Sequence, residues 1–188
     1  MPSSDPVTIP KVLDIVKKLD PTTILDIGSG NGRYGFLFRE VMDFNWGRMS
    51  PESWRTTIDA VEVDKAYITP VHSYIYNNIV VSDWMEVEPD RNYDLIFMGD
   101  VLEHFPVWVH ALDKAKKYGD AVIVVAPNWK GSISQGEWHG HSYEAHLTEL
   151  SPSIIGGRCL FANSKCFISG FYKKDTWGSC VESRDIAL

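Results

Sequence analysis

The chain has 188 residues, 44% apolar and 23% charged, the balance of one globular domain able to bury a single sizeable core. Lys and Arg number 18 against 25 Asp and Glu, a formal net charge of -7, so the chain lacks the overall attraction that draws proteins to nucleic acid phosphates. Cys159, Cys166 and Cys180 have no CxxC spacing and an odd count; they give neither a disulfide framework nor a zinc ribbon and fit a reducing, cytoplasmic setting. No basic stretch followed by an apolar run opens the chain, and no apolar run reaches the roughly 20 residues that span a bilayer, so neither secretion nor membrane insertion is expected.

We read residues 1–188 as a single domain, with a flexible lead over 1–10 and a loose tail over 175–188. Apolar residues from Ile9 to Leu19 recur at helical spacing, and Asp20-Pro21 ends that helix. Thr22 to Ile27 is a short strand, glycines follow at once, and Arg33 to Met42 reads as a helix. Asp43 to Thr56 is polar and aromatic and reads as a loop insertion. Thr57 to Val63 is the second strand, Lys65 to Tyr76 a helix despite Pro70, and Asn78 to Ser82 the third strand. Tyr93 to Met98 is the fourth strand and Pro106 to Tyr118 an amphipathic helix, its proline suited to a first turn. Ala121 to Ala126 is wholly apolar, as a parallel strand buried on both faces must be. Arg158 to Ala162 and Cys166 to Tyr172 read as an antiparallel finish. Strands and helices alternate, so the expected fold is α/β: a doubly wound, mostly parallel seven-stranded sheet, helices on both faces and a final antiparallel pair.

The most informative stretch is Ile24-Leu25-Asp26-Ile27-Gly28-Ser29-Gly30-Asn31-Gly32. A glycine-rich turn after the first strand of such a sheet lets backbone approach a ligand. A dinucleotide fingerprint would place a third glycine where Arg33 stands, and there is no GxxxxGK[ST]. Asp26, just ahead of the loop, would repel a pyrophosphate but suits a ligand carrying an ammonium group. S-adenosylmethionine (SAM) carries an ammonium and a sulfonium, and its ribose asks for an acid at the end of the second strand, where Glu62 stands. Asp64 is the next acid, better placed to cap the following helix.

These segments, ILDIGSGNG, AVEVD, VSDW and YDLIFMGDVLEHF, occur in the order of the Rossmann-like (class I) SAM-dependent methyltransferases, which the chain resembles over residues 20–126. The resemblance implies SAM as cofactor. It places the backbone of Gly28, Ser29 and Gly30 against SAM, Asp26 toward its ammonium, Glu62 on the ribose hydroxyls, and Asp83 on the adenine amino group with Trp84 beside the ring. Asp100 and Val101 would pass near the transferable methyl. His104, in the Leu102-Glu103-His104 triplet, is a candidate general base, because a hydroxyl acceptor must lose its proton and histidine titrates near neutral pH; Glu103 reads as structural.

Residues Gly99-Asp100-Val101-Leu102 stand where DNA amino-methyltransferases carry [DNS]PP[YFW], and no cysteine precedes Cys159, so base methylation is not expected. A small-molecule acceptor is expected, with oxygen ahead of nitrogen or carbon. The loop Asn128 to Ala145 follows the fifth strand, at the edge where such sheets bind ligands. Its Trp129, Trp138, His139 and Tyr143 are candidate substrate contacts and His141 a second candidate base. His139, His141 and His146 are the residues that suggest a metal, but no ligand motif supports them and none is expected. Two other readings stay open: a SAM-binding regulatory or scaffold protein without transferase activity, and a nucleotide-dependent oxidoreductase, against which Asp26 and Arg33 argue.

Overall fold

A computed structural model describes residues 5–128, 143 and 145–173. Its strands are β1 (Thr23–Ile27), β2 (Thr57–Glu62), β3 (Asn78–Val81), β4 (Tyr93–Gly99), β5 (Gly119–Pro127), β6 (Arg158–Ala162) and β7 (Cys166–Tyr172). They form one sheet in the order β3-β2-β1-β4-β5-β7-β6. The first five are parallel, and β7 runs antiparallel to both β5 and β6. This is the expected seven-stranded sheet with its antiparallel end.

The helices are α1 (Thr8–Leu19), α2 (Arg33–Met42), α3 (Pro70–Ile75), α4 (Trp108–Tyr118) and α5 (Pro152–Ile155). Side chains alternate across a strand, so each central strand feeds two cores. Ile24, Ile58, Leu95, Phe97 and Ile123 meet Val12, Val16 and Leu19 of α1 and Phe38 of α2 on one face. Leu25, Ile27, Ile96, Met98, Val122 and Val124 meet Ala111, Leu112 and Ala115 of α4 on the other. Asp26 has the parity of Ile24, which points it toward α2 and α3. Burying such side chains stabilises by roughly 1.5–3 kcal/mol each.

Three expected segments differ. The helix expected over Lys65 to Tyr76 is instead a 3-10 turn, Lys65–Tyr67, followed by α3. Pro70 has no N–H to give a preceding turn, so the helix restarts at it, with Thr69 as its N-cap. The helix expected from Pro106 begins at Trp108, two residues later. The insertion Asp43 to Thr56 holds two 3-10 turns, Phe44–Trp46 and Pro51–Ser53. It is tied down by Asp43, whose buried carboxylate accepts from Arg39 Nη1 at 2.6 Å, Arg48 Nε at 2.8 Å and the Arg55 N–H at 2.8 Å. The lead expected over 1–10 is also shorter, because α1 already begins at Thr8; residues 1–4 and the tail over 175–188 lie outside the described residues. Among the described residues no helix is long and apolar enough to cross a membrane.

Candidate functional site

The sheet order reverses beside β1, between β2 on one side and β4 on the other. Sheets of this kind leave a crevice for ligands there, outside the carboxyl ends of the strands. The segments that follow β1 and β4 meet at that place. Gly28 has φ +72° and Gly30 φ +53°, conformations that L side chains seldom adopt. A Cβ on Gly28 would stand 2.5 Å from Val101 Cγ2, so Val101 closes over the loop. Asp100, the residue before it, has φ +47° and donates its N–H to Val125 O at 2.9 Å.

Other strands hold the loop from beneath. The Gly28 N–H reaches Val61 O at 2.8 Å. Glu62 Oε2 accepts from the Gly30 N–H at 2.7 Å, and Oε1 from the Asp64 N–H at 3.0 Å. A carboxylate oxygen has two lone pairs, so each keeps capacity for a ligand hydroxyl. Burial raises the Glu62 pKa, and these backbone donors oppose the rise. The Ser29 hydroxyl is buried without a hydrogen-bond partner, so the loop retains a polar group suited to a ligand.

Asp26 is 2% exposed and accepts from Tyr76 Oη at 2.6 Å. Burial pushes its pKa up to about 7; the Tyr76 hydrogen bond opposes this and the nearby Glu62 charge adds to it. Tyr76 reaches Asp26 past Gly35, where any Cβ would overlap the phenol ring. His72 underpins the same loop. Its Nδ1 accepts from the Thr69 N–H at 3.2 Å, so its proton resides on Nε2, which donates to Gly30 O at 2.9 Å. Burial holds the His72 pKa below its ordinary value. Sequence reasoning named none of Gly35, His72 and Tyr76; the one local signal was a glycine inside a helix, which costs about 1 kcal/mol relative to alanine.

At the end of β3, Asp83 caps the 3-10 turn Trp84–Glu86 by accepting from the Met85 N–H at 2.8 Å. Trp84 is 2% exposed, packed in the core on the α4 side, and its indole N–H donates to Ala111 O at 3.1 Å. Its ring is occupied by packing and its polar atom by that carbonyl. After β4, the 3-10 turn Leu102–His104 buries Glu103 fully and half-buries His104. His104 Nδ1 donates to Ala145 O at 3.0 Å, because a carbonyl only accepts. His146 stands edge-on to His104, ring centroids 4.9 Å apart. The sequence reading grouped His146 with His139 and His141; the structure sets it beside His104 and Glu103. Tyr143 is exposed. Trp129, Trp138, His139 and His141 lie outside the described residues.

The fold is that of the Rossmann-like methyltransferases, as solved structures show. The N-terminal domain of EvdMO1, crystallised in the presence of S-adenosylhomocysteine (SAH) and D-fucose, superposes with a TM-score of 0.62 at 13% identity, over 89% of this chain and 82% of that one. The methyltransferase domain of the bacterial CtHen1-CN gives 0.56 at 15% identity, over 88% and 97%. The plantazolicin methyltransferase BpumL, with SAH and a pentazolic desmethylPZN analogue, gives 0.55 at 17% identity; 80% of this chain spans 61% of that one. No protein-family model matches the sequence, and no curated protein does either.

Proposed function

We propose that the chain is a SAM-dependent methyltransferase acting on a hydroxyl of a small molecule. The observation that carries this is the glycine loop at the sheet's reversal point, strapped by Glu62 and flanked by the buried acid Asp26. The positive-φ glycines and the unsatisfied Ser29 hydroxyl fit a ligand lying along the loop. SAM, when bound, supplies a methyl group activated by a sulfonium. The loop backbone at Gly28, Ser29 and Gly30 would hold it, with Asp26 serving the ammonium, Glu62 the ribose hydroxyls and Asp83 the adenine amino group. At Trp84 only backbone is left to serve the cofactor. Asp100 and Val101 would border the methyl. The protein's part is orientation and exclusion of water.

For the acceptor, Tyr143 and the loop residues Trp129, Trp138 and His139 are the proposed contacts. His104 and His141 are the proposed bases, in that order. With the Nδ1 proton given to Ala145 O, Nε2 is the ring atom that would take a hydroxyl proton. Calorimetry with SAH and with NAD tests the cofactor. SAH should bind and NAD should not, and Glu62→Ala should weaken SAH by removing the ribose acceptor. Binding of NAD in place of SAH would transfer the chain to the oxidoreductases. SAH binding without methyl transfer from labelled SAM to any of a metabolite panel would favour a regulatory role.

A further inference from the structure

We propose that Glu103, His104 and His146 bind one first-row divalent transition cation such as zinc. Each offers one ligand atom, and the three lie within 4.8 Å of one another. Ligands of a tetrahedral zinc sit about 2.0–2.2 Å from the metal, hence roughly 3.3 Å apart, a spacing that small rotations of the half-buried histidines can reach. Two imidazoles and one carboxylate are a donor set for zinc, iron(II), cobalt(II) or manganese(II). Calcium and magnesium prefer all-oxygen shells.

The surroundings are those of a built site. A metal-bound histidine characteristically gives its other ring N–H to a carbonyl or carboxylate, which fixes the tautomer and aims the ligand nitrogen. His104 does this with Ala145 O at 3.0 Å. The neighbouring strap is sewn to the same turn: the Leu147 and Thr148 N–H groups both donate to Glu103 O, at 2.9 and 3.3 Å. His146 is thereby held against His104 although 42 positions separate them. Glu103 is fully buried in the same turn as His104.

Three protein ligands leave a coordination position for substrate. Val101, two residues before Glu103, closes over Gly28, so the turn that carries two of the ligands adjoins the loop assigned to SAM. On the methyltransferase reading above, on which this role rests, the cation would polarise the acceptor hydroxyl. The O–H bond breaks and its proton passes to water. The oxygen then bonds to the methyl carbon, and the C–S bond breaks with its electron pair left on sulfur. His104 would then act as a ligand, and the cation would replace it as the means of activating the hydroxyl.

The test strips the full chain with a chelator, removes the chelator, and titrates zinc, then cobalt(II) as a coloured substitute, with magnesium as control. SAH is titrated in the same preparations. One equivalent of zinc should bind, cobalt(II) should develop visible d–d bands, and magnesium should compete poorly. His146→Ala and His104→Ala should each weaken zinc at least tenfold while circular dichroism and SAH affinity hold. Absence of stoichiometric zinc binding to the folded chain, or binding undiminished in the His104→Ala/His146→Ala double variant, overturns the proposal. Zinc binding without SAH binding would leave the cation site standing and remove the methyltransferase reading. SAH binding without zinc would do the reverse.

Discussion

The Tyr76 hydroxyl donates to Asp26 Oδ2 at 2.6 Å across 50 positions of sequence, and both groups are buried. A carboxyl held at a pKa of about 7 by burial keeps its proton in the folded chain where the unfolded chain has lost it. Between about pH 4 and 7 the folded state thus binds more protons, so this group's contribution to stability falls as pH rises and levels off above 7. His72, with its pKa lowered by burial, acts oppositely, losing stability as pH falls below its unfolded value near 6.5. The difference between the wild type and Asp26→Asn isolates the carboxyl. Urea unfolding should show the Asn variant gaining about 2–3 kcal/mol on the wild type from about pH 5 to pH 8. A pH-independent difference would mean that Asp26 titrates normally.

The same pair sets a steric demand on α2. A Cβ at Gly35 would overlap the Tyr76 phenol, whereas one at the exposed Gly47, φ +76°, would meet nothing within 4 Å. Gly35→Ala should cost about 3 kcal/mol or more, from overpacking together with loss of the buried Asp26 hydrogen bond. Gly47→Ala should cost only the left-handed backbone penalty, about 1–2 kcal/mol. Parallel denaturation curves check the order. Equal losses would mean that Tyr76 moves aside without consequence.

The parts legible in the sequence were those governed by local rules. Strand β5 announces itself as an unbroken apolar run, and the loop by glycines that a turn alone does not need. The place of Glu62 at the end of β2 was legible because it follows from the sheet's order. Trp84 was not legible. An aromatic beside a polar residue at a strand end suggests a ligand platform, but Ala111 O, 27 positions on, takes its N–H into the core. The roles of His72, Tyr76 and His146 depend likewise on the register of elements far apart in sequence. The break in the helix at Pro70 was readable, since the residue before a proline is driven out of the helical region; Thr69 has ψ +169°.

Arg39 is fully buried and spends its whole guanidinium on the chain around it. Nε and Nη2 donate to Ile75 O, Nη1 to Asp43 Oδ2 and Thr56 O, and Nη2 to Asn77 Oδ1. Trp54 stacks on it 3.7 Å from the ring centroid. It thereby joins α2, the end of α3 and the insertion. Arg39→Lys keeps the charge but replaces a planar fork by one ammonium, which cannot serve carbonyls on opposite sides. The expected loss is about 3–5 kcal/mol, the range for a broken buried pair. Hydrogen exchange should show residues 43–56 losing protection first. A loss below about 1 kcal/mol would show that the hub is dispensable.

His72→Leu tests whether α3 shapes the cofactor loop or only fills space beneath it. The imidazole bridges two backbones, accepting from the Thr69 N–H and donating to Gly30 O. Leucine has similar bulk but neither function, so the buried Gly30 carbonyl loses its partner, at about 1–3 kcal/mol, while water can replace the partner of the part-buried Thr69 N–H. The Gly30 carbonyl belongs to the same residue whose N–H is held by Glu62. Freeing it should loosen the loop at Gly30, and with it the N–H that holds Glu62 at the ribose position. SAH affinity should therefore fall roughly tenfold, about 1.4 kcal/mol. Ile75→Ala serves as the control, because Ile75 is fully buried in the same helix and makes no side-chain hydrogen bond to the loop. It should destabilise by about 2–5 kcal/mol yet leave SAH affinity within a factor of about two at temperatures where both variants are folded. If SAH affinity drops equally in the two variants, or in neither, His72 supports the fold and has no particular hold on the loop.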